Sequence, residues 1–278
     1  MNNFILFHKG IIPNHLKYCI RQILQTQTNF KVYLLTDQRV IIDGVEVIDI
    51  NDYNVELDQL SYYKNDRDPL WRTSFERFFY IDKFITKNNL SNVIHFDNDI
   101  VIYGDVSEII DILEREVDEI AITPHKETEL VCGFMYIKHS TTLKLLCNYL
   151  FELAKVGEAE LQRQLNSMPH EMRLLGHIQS ITDNYITSLP VTPYGPGNNL
   201  FDKFNMVFDP STYGQYFGNN NTIKPQDTDR LADRFIGTKT IPLFEKVPSL
   251  HLPQEDKNIP IFNLHIHNKH LNLFIYND

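Results

Sequence analysis

"VIHFDNDIVIYGD", Val93 to Asp105, is the stretch on which the fold turns. Its apolar residues mark a buried strand, yet Asp97 and Asp99 stand in its middle. Charged side chains are rarely buried without a partner. Side chains of an extended segment alternate faces, so His95, Asp97 and Asp99 share one parity. If the strand ends at Phe96, both carboxylates sit at its carboxyl end, where open α/β sheets bind ligands. Two like charges so close repel, and a divalent cation removes the repulsion. Oxygen ligands without thiolates favour Mn2+ or Mg2+. The alternative is a solvated turn holding two aspartates by chance. The apolar runs on both sides, Val93–Phe96 and Ile100–Tyr103, weigh against it.

Working outward, strand and helix signals alternate. Phe4–His8 reads as a buried strand. Pro13 and Asn14 open a helix with Leu16, Ile20, Ile23 and Leu24 at i, i+4, i+7 and i+8. Phe30–Asp37 and Val45–Ile50 are further strands, and Tyr53–Pro69 is polar and loop-rich. Trp71–Lys87 is a helix with Trp71, Phe75, Phe78, Phe79 and Ile85 on its apolar face. Beyond the carboxylates, Val106–Glu116 reads as a helix, Glu119–Pro124 and "CGFMYIKHS" as strands, and "TTLKLLCNYLFELAKVG" as a helix ending at Gly157. Such alternation implies an α/β fold with a Rossmann-like, mostly parallel central sheet flanked by helices. After Pro190, Pro, Gly and Asn accumulate, which predicts a loop-rich C-terminal extension. Within it, Tyr213, Tyr216 and Phe217 either stack on substrate or pack a lid. The 278 residues are read as a single domain in two halves, 1–125 and 126–278.

The formal net charge of −10 argues against a nucleic-acid partner, which a basic excess usually marks. Cys19, Cys132 and Cys147 are few, odd in number and widely spaced, the pattern of reduced thiols in a cytosol-like compartment. With no transmembrane run and no signal-peptide pattern, the expectation is a cytoplasmic protein.

"NLHIHNKH" near the end of the chain puts His265, His267 and Lys269 on one parity if the strand persists. Imidazole is a good ligand for a metal such as Mn2+, and a lysine beside a metal neutralises phosphate oxygens. Strand-surface or core histidines remain the alternative.

These pieces in this order resemble the Asp-x-Asp glycosyltransferases of the GT-A fold, nearest the glycogenin and bacterial galactosyltransferase group of family 8 type. "FERFFYIDKFITKNNLSNVIHFDNDIVIYGDVSEII" carries the resemblance, followed by "CGFMYIKHS" and the terminal His and Lys. The resemblance implies a metal-dependent transferase that moves a hexosyl or pentosyl unit from a nucleotide-diphosphate sugar, UDP first, to a glycan or glycoconjugate hydroxyl. It assigns Asp97 and Asp99 to a Mn2+ or Mg2+ ion, with His265 or His267 as a later ligand. Lys269 would meet phosphate, residues 1–125 would form the nucleotide-sugar half, and residues 126–278 the acceptor half with the closing metal and phosphate segment. Arg77 would contact the donor and the metal-site acid. His8 and Asp37 would lie near the nucleotide base and ribose, and are equally readable as strand-end polar residues at a turn, while Asn98 would contact the donor. Asp183, in "HIQSITDNYI", would be the acid near the reacting carbon, and is equally readable as an N-cap or helix-surface aspartate. The usual His-x-x-Gly-x-x-Lys-Pro-Trp ending is replaced by "HIHNKHL", and Asn184 stands where the family has Gln. Two other classes compete. A sugar-nucleotide nucleotidyltransferase would carry a glycine-rich basic loop after the first strand, and "FHKGIIPNHLK" has a single glycine. A non-catalytic carbohydrate-binding protein would keep its affinity without Asp97.

Overall fold

The computed structural model describes residues 2–57, 69–217, 229–233, 236, 241–244 and 247–275, and for residues 69 and 241–244 the backbone alone. Its centre is a seven-stranded sheet in the order β3-β2-β1-β4-β7-β6-β8. The strands are β1 (Asn2–His8), β2 (Phe30–Thr36), β3 (Val45–Asp49), β4 (Val93–His95), β6 (Ile120–Lys126), β7 (Glu129–Ile137) and β8 (Ile186–Ser188). β1 runs parallel to β2 and β4, β2 to β3, and β6 to β8, while β7 lies antiparallel between β4 and β6. The sheet is thus mostly parallel, as the alternation of elements predicts.

Burial on both faces explains the near-continuous apolar runs of these strands. In β1, Phe4 and Leu6 point into one hydrophobic cluster, and Ile5 and Phe7 into the other. α1 (Asn14–Thr26) covers the first face with Leu16, Cys19, Ile20 and Ile23. On the second face lie α2 (Pro69–Lys87), α4 (Thr142–Val156) and α6 (Glu171–Ile181), the last reached through α5 (Glu158–Leu165). The buried stripe of α2 is Phe75, Phe78, Ile81, Phe84 and Ile85. Trp71 and Phe79 are only half-buried. Trp71 instead faces the His170 ring, 5.1 Å away between centroids. Most of the polar stretch before α2, residues 58–68, lies outside the described residues.

The stretch Val93–Asp105 is not one extended segment. The ladder of β4 continues one step, with the Asp97 amide donating to Cys132 O at 2.8 Å. Then Ile100 N donates back to Asp97 O at 3.3 Å and closes a turn over residues 98 and 99. β5 (Ile100–Ile102) leaves the main sheet and pairs antiparallel with β12 (Asn263–His265), Ile100 opposite His265. Asp105 then caps the turn Val106–Glu108 by accepting from Ser107 N, and α3 (Ile110–Glu116) follows.

The expected terminal strand is likewise broken. Beyond α7 (Asn198–Phe204) and α8 (Tyr213–Phe217), β9 (Ile241–Phe244), β10 (Pro248–Leu252) and β11 (Lys257–Pro260) form a small antiparallel sheet. β12 ends at His265, and the chain turns with Lys269 at φ +64°. Under the site, Phe134 packs against Phe96, Phe208 and Phe262. Tyr213 is fully buried and donates to Val191 O at 2.5 Å, so it belongs to the core and is not a substrate platform. No helix among the described residues is long and apolar enough to cross a membrane.

Candidate metal and donor site

From β1 the sheet grows one way to β2 and β3 and the other way to β4, so the order in which strands are added reverses between β1 and β4. Crevices at such switch points, outside the carboxyl ends of the strands, are where α/β sheets hold ligands. Asp97 and Asp99 follow β4 there, and the β5–β12 pairing brings His265 to them from the far end of the chain. The three side chains each offer one ligand atom, all within 4.8 Å of one another. His265 Nε2 stands 3.1 Å from Asp99 Oδ1 and 3.9 Å from Asp97 Oδ2. Backbone pairing fixes the meeting: Ile266 N donates to Asp99 O at 2.9 Å.

Two cations answer the remaining charge. Arg77, buried on α2, donates from one terminal nitrogen to Asp97 Oδ1 and from the other to Glu171 Oε1. Lys269, after the left-handed turn, donates to Asp99 Oδ2. Burial pushes the Asp99 carboxyl up, but His265 and Lys269 outweigh it and hold it well below the usual range. The same pairing raises His265 although burial works against its charge. Glu171 is pushed up by burial, with Arg77 opposing. Among the described residues, the partners of the two aspartates are thus Arg77, Lys269 and His265.

The other expected residues divide. His8 and Asn98 meet beside the crevice: Asn98 Nδ2 lies 3.2 Å from His8 Nδ1 and donates to Phe7 O at 2.9 Å. Asn98 Oδ1 is buried with no partner among the described residues. Asp37, after β2, is close by, accepting from Gly10 N at 2.8 Å and from Gln38 Nε2 at 2.9 Å. These bonds outweigh burial and lower its pKa. His267 has its ring 4.4 Å from that of His265 but hydrogen-bonds Ser211 Oγ at 2.6 Å, and it lies outside the three-atom cluster. His95, placed with the aspartates by parity, is buried in the sheet against Ile5 O, and burial pushes it down to about 4.

Asp183 is not brought to the site. β8 begins opposite Ile120, the first residue of β6, and β6 runs in the same sense as β4 because β7 is antiparallel to both. Asp183, just ahead of β8, therefore lies at the edge where β4 starts, whereas Asp97 follows the edge where β4 ends. It lines a shallow depression of about 370 Å³ with Asp118, Glu119, Leu145 and Tyr149. The parity argument fails at the turn over 98 and 99, since the aspartates converge through that turn and not through an extended strand.

Sequence reasoning misses Glu171 and Asp209. Glu171 opens α6 and is buried against Arg77. Asp209 is fully buried behind His265. Glu76, beside Arg77 on the same helix, is held by Lys9 at 3.0 Å.

No protein-family model and no curated protein sequence matches the chain. Its backbone is similar to solved glycosyltransferase structures. The galactosyltransferase LgtC, crystallised with donor and acceptor sugar analogs, aligns with 95% of this chain and 87% of its own at 10% identity and a TM-score of 0.51. Mouse xyloside xylosyltransferase 1, in its apo form, aligns with 68% of this chain and 85% of its own at 10% identity and a TM-score of 0.47. The glycosyltransferase GlyE of Streptococcus pneumoniae TIGR4 aligns with 78% of this chain at 14% identity and a TM-score of 0.44. The match spans 48% of GlyE, about half its length. The likeness to LgtC shows the fold: this chain has the α/β GT-A architecture.

Proposed function

We propose that the protein is a metal-dependent glycosyltransferase that moves a sugar from a nucleotide-diphosphate sugar to a glycan hydroxyl. The observation that carries this reading is the convergence of Asp97, Asp99 and His265 at the switch point of the sheet. The donor set fits a divalent ion. The two carboxylate oxygens suit Mn2+ or Mg2+, and the imidazole nitrogen, a ligand of transition metals, favours Mn2+ of the two. Asp97, Asp99 and His265 would hold the ion between them, their ligand atoms all lying within 4.8 Å of one another.

When bound, the metal supplies a Lewis acid that offsets charge developing on the departing diphosphate. The chain's own residues supply the rest. Arg77 orients Asp97 by holding Oδ1, the oxygen that His265 does not face. Lys269, half-exposed, exchanges Asp99 for a phosphate oxygen and so neutralises the leaving group. Asn98 Oδ1, His8 and Asp37 line the crevice where the nucleoside would lie. UDP is the first nucleotide to try.

Thermal-shift measurements with Mn2+ and UDP-, GDP- or dTDP-sugars test the reading. A true donor at a hundredfold its Kd stabilises by about 2.7 kcal/mol. The shift should vanish in Asp97→Ala and Asp99→Ala while both stay folded. No shift with any donor, or calorimetric titrations that the two substitutions leave unchanged, would remove the proposal.

A further inference from the structure

Asp209 is outside the ligand set, yet its carboxylate is the most heavily hydrogen-bonded near the site. It is fully buried, in the loop ahead of α8. Its Oδ1 accepts from Thr212 N at 2.7 Å and Tyr213 N at 2.9 Å. Its Oδ2 accepts from Gly214 N at 2.7 Å and from His265 N at 2.8 Å. Three of these donors belong to the start of α8, and the fourth is the backbone of the residue whose imidazole faces Asp97 and Asp99.

The packing around this junction is tight. A Cβ on Gly214 would stand 2.2 Å from His265 O, so the first turn of α8 is pressed onto the His265 backbone. On the sheet side, a Cβ on Gly133 would come within 2.9 Å of Asp209 O. The His265 backbone is therefore held between α8 and β5, and Asp209 ties it to α8. A neutral side chain can cap a short helix, but four backbone donors need an acceptor-only group. A carboxylate has about four lone-pair sites and no competing donor, whereas an amide turns an N–H2 toward one pair of them.

We propose that Asp209 is a positioning residue: it fixes the strand segment carrying His265 at the distance where the imidazole completes the metal site. This rests on the reading that Asp97, Asp99 and His265 hold a divalent ion. Groups that orient metal ligands are worth about 10–100-fold in metal affinity.

The test is Mn2+ binding to the full chain, followed by the electron paramagnetic resonance of free Mn2+, for the unsubstituted protein, Asp209→Asn, Gly214→Ala and Asp97→Ala. Asp209→Asn spoils two of the four acceptor bonds with little change of shape. Gly214→Ala keeps the carboxylate itself but pushes on the His265 backbone from α8, so it tests whether the placement of that backbone sets the affinity should Asp209→Asn not fold. Expected are a single Mn2+ site in the unsubstituted protein, none in Asp97→Ala, and the same stoichiometry with a Kd raised about 10–100-fold in the other two. A merely structural role would lower the number of sites per chain and leave Kd untouched. An unchanged Kd in folded Asp209→Asn or Gly214→Ala overturns the positioning role while the metal reading stands. Absence of Mn2+ binding by the unsubstituted protein overturns both.

Discussion

Replacing Arg77 by methionine should be the most damaging single change near the site, and the structure says how much and at what pH. The guanidinium joins two carboxylates, Asp97 with a quarter of its side chain exposed and Glu171 with 4%. Breaking a buried pair from one side costs about 3–5 kcal/mol, because the remaining charge is stranded. In a chain of this size that corresponds to a fall in Tm of about 6–20 °C. The pH dependence gives the argument its sign. Burial raises the Glu171 pKa even with Arg77 opposing it, and without Arg77 it must rise further. The folded variant then binds that proton more tightly than the unfolded chain does, so acidification stabilises it. The deficit should be smaller at about pH 5.5 than at about pH 8, and adding Glu171→Gln should recover part of it at the higher pH. Urea denaturation of the single and double variants at both pH values is the assay. A cost of Arg77→Met under about 1 kcal/mol, or a deficit indifferent to pH, would refute the reasoning.

On the proposed reading, Mn2+ would have to displace a proton from His265, whose pKa is raised above 6.5, since Asp99 and Asp97 outweigh burial. Affinity should therefore climb through and beyond pH 6.5 and level off only above the raised pKa, and calorimetry showing a flat profile there would contradict this. Asp99 has the opposite sign: its carboxyl is held below the ordinary 3.8, so it stabilises the fold above that pH and loses the contribution as pH falls through its folded pKa. Asp99→Asn should flatten that acid limb in a series of thermal melts. Asp183→Asn should leave Mn2+ affinity unchanged, and a tenfold loss would return Asp183 to the site. Phe134→Ala, fully buried among three other rings, should cost about 3–5 kcal/mol by urea denaturation, and a cost below about 1 would mean the core beneath the site is loosely packed.

The legible parts of the site are those whose chemistry is local. Asp97 and Asp99 stand out because two carboxylates interrupt an apolar run, and the His–Lys ending because ligand types cluster within five residues. Strand and helix alternation likewise reads directly as an α/β sheet. The turn over 98 and 99 is hidden because Asp-Asn-Asp suits both a strand end and a turn, and the choice between them is made by β12 arriving from far along the chain. Glu171 and Asp209 carry no local signal: each is an ordinary acid beside a helix start, and its partner lies 94 positions away in one case and 56 in the other. Asp183 misleads for the converse reason. Its neighbourhood fits a motif, while the strand it precedes starts at the wrong edge of the sheet.

The join between β5 and β12 also has a meaning in time. Asp99 and Lys269 are 170 positions apart, and a chain grows at roughly 5–20 residues per second, so about 9–34 s pass between the synthesis of one and the other. Throughout that interval the first half of the sheet has its strands but Asp99 lacks both His265 and Lys269, and an ion that needs all three side ligands has no complete cage. On the proposed metal reading, capture of the ion would be a late event in biogenesis, and occupancy of the site would report that the last described strand has docked.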